Sequence, residues 1–86
     1  MILIDNEPDS KGVYRVLSDQ DGIYGMAELE RFLQKAKVKV LKVNKRGDAV
    51  AVRGSDAAKL RSSGTTWRGR AEIDEILKGR QQRWRK

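Results

Sequence analysis

Basic side chains that could bind phosphate groups occur in three parts of this sequence. The first group lies on or beside a predicted pair of strands and comprises Lys37, Lys39, Lys42, Lys45, Arg46 and Arg53. Arg68 and Arg70 form the second group, next to Trp67, and the third is the end of the chain, where residues 78–86 contain five basic side chains and no acidic one. Lysine makes diffuse contacts to phosphate, whereas arginine can fork to phosphate or guanine. This chemistry favours a nucleic acid as the partner.

The two ends of the chain differ strongly in charge. Residues 1–30 contain two basic and seven acidic side chains, and residues 31–86 contain seventeen basic and five acidic ones. Like charges held close together repel one another, and a polyanion relieves that repulsion. We therefore predict docking onto nucleic acid, with DNA favoured over RNA.

The predicted contacts fall into two lines and one stacking residue. The first line consists of side chains on the predicted hairpin, which would contact the phosphate backbone of the nucleic acid: Lys39, Lys42, Lys45 and Arg46. A second line would come from the C-terminal part: Arg68, Arg70, Arg80, Arg83 and Arg85. Trp84 would stack on a base, because tryptophan offers a flat ring to a nucleobase. Trp67 is predicted to be a packing anchor of the core.

These contacts would be positioned by short strands and helices. Apolar runs, glycines and turn residues predict strands at Met1–Asp5, Val13–Leu17, Val38–Val43 and Ala49–Val52, and helices at about Gly25–Lys35, Ala57–Ser62 and Arg70–Gln82. Ser55 and Asp56 are predicted to cap the second helix. Gly47 sits late in the loop between the third and fourth strands, where a left-handed residue closes a β-hairpin with a bulge. Gly79 is predicted to weaken the last helix and release the tail.

The resulting fold class is α+β, a small single domain with antiparallel β-hairpins packed against two or three helices in the order β-β-α-β-β-α-α. The domain is predicted to span residues 1–79, and residues 80–86 form a basic tail. The predicted core consists of Leu3, Val16, Leu29, Leu33, Val40, Val43, Val50, Val52, Leu60, Ile73, Ile76 and Leu77.

The composition argues against catalysis and against a membrane location. The sequence has no histidine and no cysteine, which removes the commonest general base and the thiol nucleophile. We predict no enzyme activity, no metal, no cofactor and no small-molecule substrate. No apolar run approaches the length of a membrane span, and the start does not resemble a signal peptide, so a cytoplasmic location is expected.

Two partial resemblances accompany this interpretation. Residues 66–77, TWRGRAEIDEIL, resemble the end of excisionase-type winged-helix proteins, in which a tryptophan and arginines lead into a helix. The helix-turn-helix that precedes it in that family is not visible here. From Met26 onward, the order of helix, basic hairpin, helix and basic tail resembles small phage head–tail joining proteins. The first likeness implies a regulatory DNA-binding protein of a phage or mobile element.

The competing prediction is a structural or assembly protein whose basic face meets an acidic partner, as the second likeness implies. A homodimer is compatible with either function. The hairpin lysines also have an alternative explanation, because charges on an edge strand prevent it from pairing with other chains. The basic tail could likewise serve only to keep the chain soluble.

Overall fold

The computed structural model describes the backbone of residues 1–84 and the side chains of residues 1–80. Within this part, the elements are β1 (Ile2–Asp5), β2 (Val13–Ser18), α1 (Gly22–Ala36), β3 (Lys42–Val43), β4 (Ala49–Arg53), α2 (Gly54–Arg61), β5 (Thr66–Arg68) and α3 (Arg70–Trp84). The predicted α+β class is confirmed. The third strand is shorter than predicted, because Val38 and Val40 pack against the core before the chain joins the sheet.

The strands form one sheet in the order β3-β4-β2-β1-β5. Three neighbouring pairs are antiparallel, whereas β5 lies parallel to β1, with Leu3 opposite Thr66. The sequence did not predict β5, because its three residues are too few to display a strand pattern. The sheet is therefore mixed, and β3 and β5 are its two outer edges.

Helices cover both faces of the sheet. On one face, Ile2 and Ile4 pack with Leu29 of α1 and Leu60 of α2. On the other face, Leu3 belongs to a second cluster that includes Ile73 of α3. Because both faces of β1 are covered, all of its residues are buried instead of alternating with exposed ones.

The core differs from the predicted one at the edge of the sheet. Val43 is 52% exposed, because it lies on the outermost strand, and Val40 is only partly buried. Ile76 and Leu77 are also partly buried against the α3 cluster. The remaining predicted core residues are buried, and Ile2, Ile4 and Leu17 join them.

Helix α1 begins earlier than the apolar spacing predicted. Asp21 caps it by accepting a hydrogen bond from the Gly22 backbone N–H at 2.8 Å. The helix ends where Lys37 adopts a left-handed conformation with φ of 57°. Gly25 lies against the preceding turn, so that a Cβ there would be 1.9 Å from the Gln20 carbonyl oxygen. Only glycine fits this position without moving the helix or the turn.

Helices α2 and α3 also differ from the prediction. Helix α2 begins at Gly54, so Ser55 and Asp56 lie inside its first turn, and Arg53 occupies the cap position without a side-chain hydrogen bond. Helix α3 continues through Gly79 as far as Trp84, close to the predicted end at about Gln82, so the backbone remains helical where the sequence predicted that Gly79 weakens the helix and releases the tail. Among the residues that the structure describes, no helix is both long and apolar enough to cross a membrane.

Two of the glycines within helices, Gly25 and Gly79, lead to opposite predictions for alanine substitution. Gly25→Ala should lower the free energy of unfolding by about 2–3 kcal/mol, because the new methyl group overlaps a backbone oxygen. Gly79→Ala is the matched control, since a methyl group added there would meet no described atom within 4 Å. This change should raise the free energy of unfolding by about 0.5–1 kcal/mol. Urea denaturation of both variants measures the difference, and equal effects would contradict the close approach at Gly25.

Candidate nucleic-acid interface

The hairpin between β3 and β4 has the geometry that the sequence predicted. Gly47 has a φ of 76°, and its backbone N–H donates to the Asn44 carbonyl oxygen at 3.0 Å. The Asn44 side chain accepts hydrogen bonds from the backbone N–H groups of Asp48 and Ala49. These bonds fix the turn and leave Lys45 exposed at its tip.

Four exposed lysines follow one another along the segment that leads from α1 through β3 into the hairpin. We call Lys37, Lys39, Lys42 and Lys45 the lysine row. None of the described residues forms an ion pair with any of them. Of the predicted contacts, Lys42 lies on the edge strand β3, Lys39 lies on the exposed segment before it, and Lys45 lies at the tip of the hairpin.

The local sequence explains why these lysines have no acidic neighbours along the chain. Residues 31–55 contain eight basic side chains and a single acidic one, Asp48. Asp48 is only 6% exposed and therefore does not screen the surface. Arg53, at the end of β4, the strand next to the edge strand β3, is also exposed and adds a fifth cation.

Arg46 and Arg80 do not lie free on the surface as predicted. With Asp21 and Asp48 they form an ion cluster, in which Arg46 Nη2 lies 3.6 Å from one carboxylate oxygen of each acid. Arg80 Nε lies 3.8 Å from Asp21 Oδ1, and Arg80 Nη1 lies 3.7 Å from Asp48 Oδ2. Both positive charges are thus matched by carboxylates, which reduces their attraction for phosphate.

Arg80 belongs to the domain, although the sequence assigned it to the tail. It is 3% exposed, and its Nη2 donates hydrogen bonds to the backbone carbonyl oxygens of Ser18 and Gln20. A buried guanidinium needs such partners, because burying an isolated charge costs several kcal/mol. The ion cluster therefore joins α3 to the β2–α1 turn and to the hairpin.

The predicted second line of contacts does not form from the described arginines. Arg68 lies on β5, the opposite edge of the sheet from the lysine row, about 19 Å away for four strand spacings. Its Nε lies 2.7 Å from Glu72 Oε2. Arg70 is exposed and donates a hydrogen bond to the Pro8 carbonyl oxygen. Arg83, Trp84 and Arg85 lie outside the residues whose side chains the structure describes.

Trp67 is on the surface, not in the core as predicted. It is 53% exposed and lies on β5, an edge strand of the sheet. The guanidinium carbon of Arg61 lies 4.8 Å from the centre of the Trp67 ring and 4.9 Å from that of Tyr14. Arg61 thus packs between two aromatic rings, an arrangement that sequence spacing did not reveal.

A cleft of about 470 Å³ lies on the α3 face of the sheet, beside the lysine row. In its wall, Arg15 donates to the buried Asp5 carboxylate at 3.1 and 3.2 Å and to Asp74 at 2.5 Å. Burial disfavours the charge of Arg15, but these hydrogen bonds outweigh it and raise its pKa above the ordinary value. In the sequence, this site is marked only by one charged residue in each of two strands, Asp5 in β1 and Arg15 in β2. Their pairing can be recognised only when the register of the two strands is known.

No metal site is visible in the described part of the chain, where no three His, Cys, Asp or Glu side chains are grouped to hold an ion. Asp21 and Asp48 of the ion cluster, and Asp5 and Asp74 of the cleft, pair with arginines instead. These carboxylates therefore act in ion pairs within the fold.

Loss of Arg80 should be costly, because it leaves Asp21 and Asp48 without their buried partner. We expect Arg80→Met to lower the free energy of unfolding by about 3–5 kcal/mol. Lys78→Met, two residues earlier on the exposed side of α3, should change it by less than about 0.5 kcal/mol. Urea denaturation compares the two. A loss below about 1 kcal/mol for Arg80→Met would contradict the role assigned to the ion cluster.

Comparisons with protein families, with curated proteins and with solved structures find no match to this chain. Its function must therefore be inferred from the charges and the geometry of its own residues. The features that bear on function are the lysine row and the cleft beside it.

Proposed function

We propose that this protein binds nucleic acid, without catalysis, through the lysine row and Arg53. The proposal is based on the charges of residues 31–55. The single acidic residue of this segment is buried, whereas its lysines are exposed and form no ion pair with any described residue. Such a surface attracts a polyanion and releases counterions from it. DNA is the first partner to test.

The type of cation argues for contacts to phosphate rather than to base edges. The lysine ammonium is a compact, strongly hydrated charge on a flexible stem, and it binds phosphate without fixed geometry. Two of the arginines that were predicted to contact the nucleic acid, Arg46 and Arg80, are held by carboxylates, which leaves them poorly placed for forked contacts with guanine. We therefore propose that the lysine row tracks a backbone and contributes little sequence preference.

A second function is supported by the apolar side chains on the same edge. Leu41 and Val43 flank Lys42 and are exposed. Val43 belongs to the outer strand β3 and Leu41 directly precedes it, and another chain could extend this edge by pairing. An assembly protein whose basic edge meets an acidic partner strand would use these residues. Self-association measured without nucleic acid would favour this function.

Charge reversal at the lysine row tests the main proposal. For five phosphate contacts on duplex DNA, the logarithm of the binding constant should fall against the logarithm of salt concentration with a slope of about −4.5. The double variant Lys39→Glu, Lys42→Glu should weaken binding at low salt more than tenfold and reduce that slope by about 2. Fluorescence anisotropy with a labelled duplex measures both quantities.

The matched control makes the same two charge reversals at lysines on other parts of the fold. Lys11 lies in the β1–β2 loop and Lys59 on α2, and both are exposed. Lys11→Glu, Lys59→Glu also lowers the net charge from +7 to +3, since each substitution changes it by two units. An equal loss of affinity in both double variants would show that net charge alone matters. Failure of the wild-type chain to bind any DNA or RNA at low salt would reject the proposal.

A further inference from the structure

The cleft beside the lysine row exists because α3 covers only part of its face of the sheet. Leu77 and Asp74 of α3 form one wall. Two small side chains, Ala49 and Ala51, lie on the opposite strand β4 and leave space beneath the helix. Its volume of about 470 Å³ lies within the range of about 300–1,000 Å³ that is usual for ligand sites.

The charges around the cleft balance one another. Three acidic side chains, Asp5, Asp9 and Asp74, face three basic ones, Arg15, Lys42 and Arg70. The Val13 and Lys11 backbone N–H groups donate to Asp9 and hold the pKa of its carboxyl below its ordinary value, so this acid is charged at neutral pH. A site with equal numbers of fixed charges does not select an ion. It suits a neutral molecule that carries both hydrogen-bond donors and acceptors.

The floor of the cleft favours a molecule with an apolar surface. Val13, Ala51 and Leu77 contribute aliphatic groups to the lining. A flat ring could lie against these groups, while its polar edge meets the carboxylate of Asp74 or the guanidinium of Arg70. A nucleobase combines an apolar face, a neutral charge and a polar edge.

Lys42 connects this cleft to the lysine row, because its side chain belongs to both. A strand whose phosphates follow the row would hold its bases close to the mouth of the cleft. In a duplex those bases are paired and stacked, so that only an unpaired base is free to enter.

From the balanced charges, the aliphatic floor and the shared Lys42, we infer that the cleft receives an unpaired base of a strand bound along the lysine row. This inference rests on the proposed nucleic-acid binding and adds a preference for single-stranded segments. DNA and RNA share the base chemistry, and both must be compared.

A substitution that fills the cleft separates this inference from phosphate binding. Ala51→Leu adds an isobutyl group at the cleft wall and changes no charge. It should weaken binding of a single-stranded 12-mer about tenfold and alter duplex affinity by less than about twofold, since only an unpaired base is free to enter the cleft. The matched control is Ala58→Leu, the same change at an exposed position on α2. It should leave both affinities unchanged.

The wild-type protein provides a second measurement that does not depend on the folding of a variant. A 12-mer that carries 2-aminopurine in its centre, made as DNA and as RNA, is titrated with protein and then with acrylamide. Protection of the fluorescent base from acrylamide supports its entry into the cleft. Stronger protection in the DNA or in the RNA 12-mer shows which of the two nucleic acids the cleft prefers.

Two outcomes would overturn the inference in different ways. Binding of single strand and duplex with no protection of the base, or with equal effects of Ala51→Leu and Ala58→Leu, would reject the cleft site and leave the lysine row in place. Failure of the wild-type chain to bind either form would reject the proposed function together with the cleft site.

Discussion

The fold depends on a buried guanidinium that is held by two carboxylates and two backbone carbonyl groups. Arg80 comes from the last helix, Asp21 from the start of α1 and Asp48 from the hairpin, so one side chain fixes three elements at the same end of the sheet. Burying this charge is tolerable only because every partner is in place. The same geometry orients the hairpin from which Lys45 projects.

The ion cluster also determines which cations remain available to a partner. Arginine presents a planar fork that pairs well with buried carboxylates, whereas the compact ammonium of lysine is better hydrated and remains at the surface. Arg15, Arg46 and Arg80 accordingly face acids, and the lysine row faces solvent. The number of basic residues in the sequence therefore overstates the number of cations available to a partner, because several arginines are paired with acids.

Local chemistry made parts of this architecture predictable. Gly47 and the strand runs around it identified the hairpin, and apolar spacing identified the helices, because both depend on neighbours in sequence. The parallel strand β5 was missed because it is stabilised by β1, more than sixty residues away. The burial of Arg80 was missed for the same reason: its partners lie in two distant turns, and a cation beside Gly79 resembles a solvated tail. The cleft depends on how far α3 reaches across the sheet, which the sequence does not specify.

In the proposed complex, exposed lysines contact the nucleic acid and the arginines of the ion cluster do not. A ¹H–¹⁵N correlation spectrum recorded during titration with a short DNA tests this proposal most directly, because backbone amides and arginine Nε–H groups appear in one experiment. We expect the amide signals of residues 37–45 and of Arg53 to shift while the Arg80 Nε–H signal stays unchanged and slow to exchange. Shifts concentrated on Arg80 and the ion cluster, or on β5 at the opposite edge, would contradict the account.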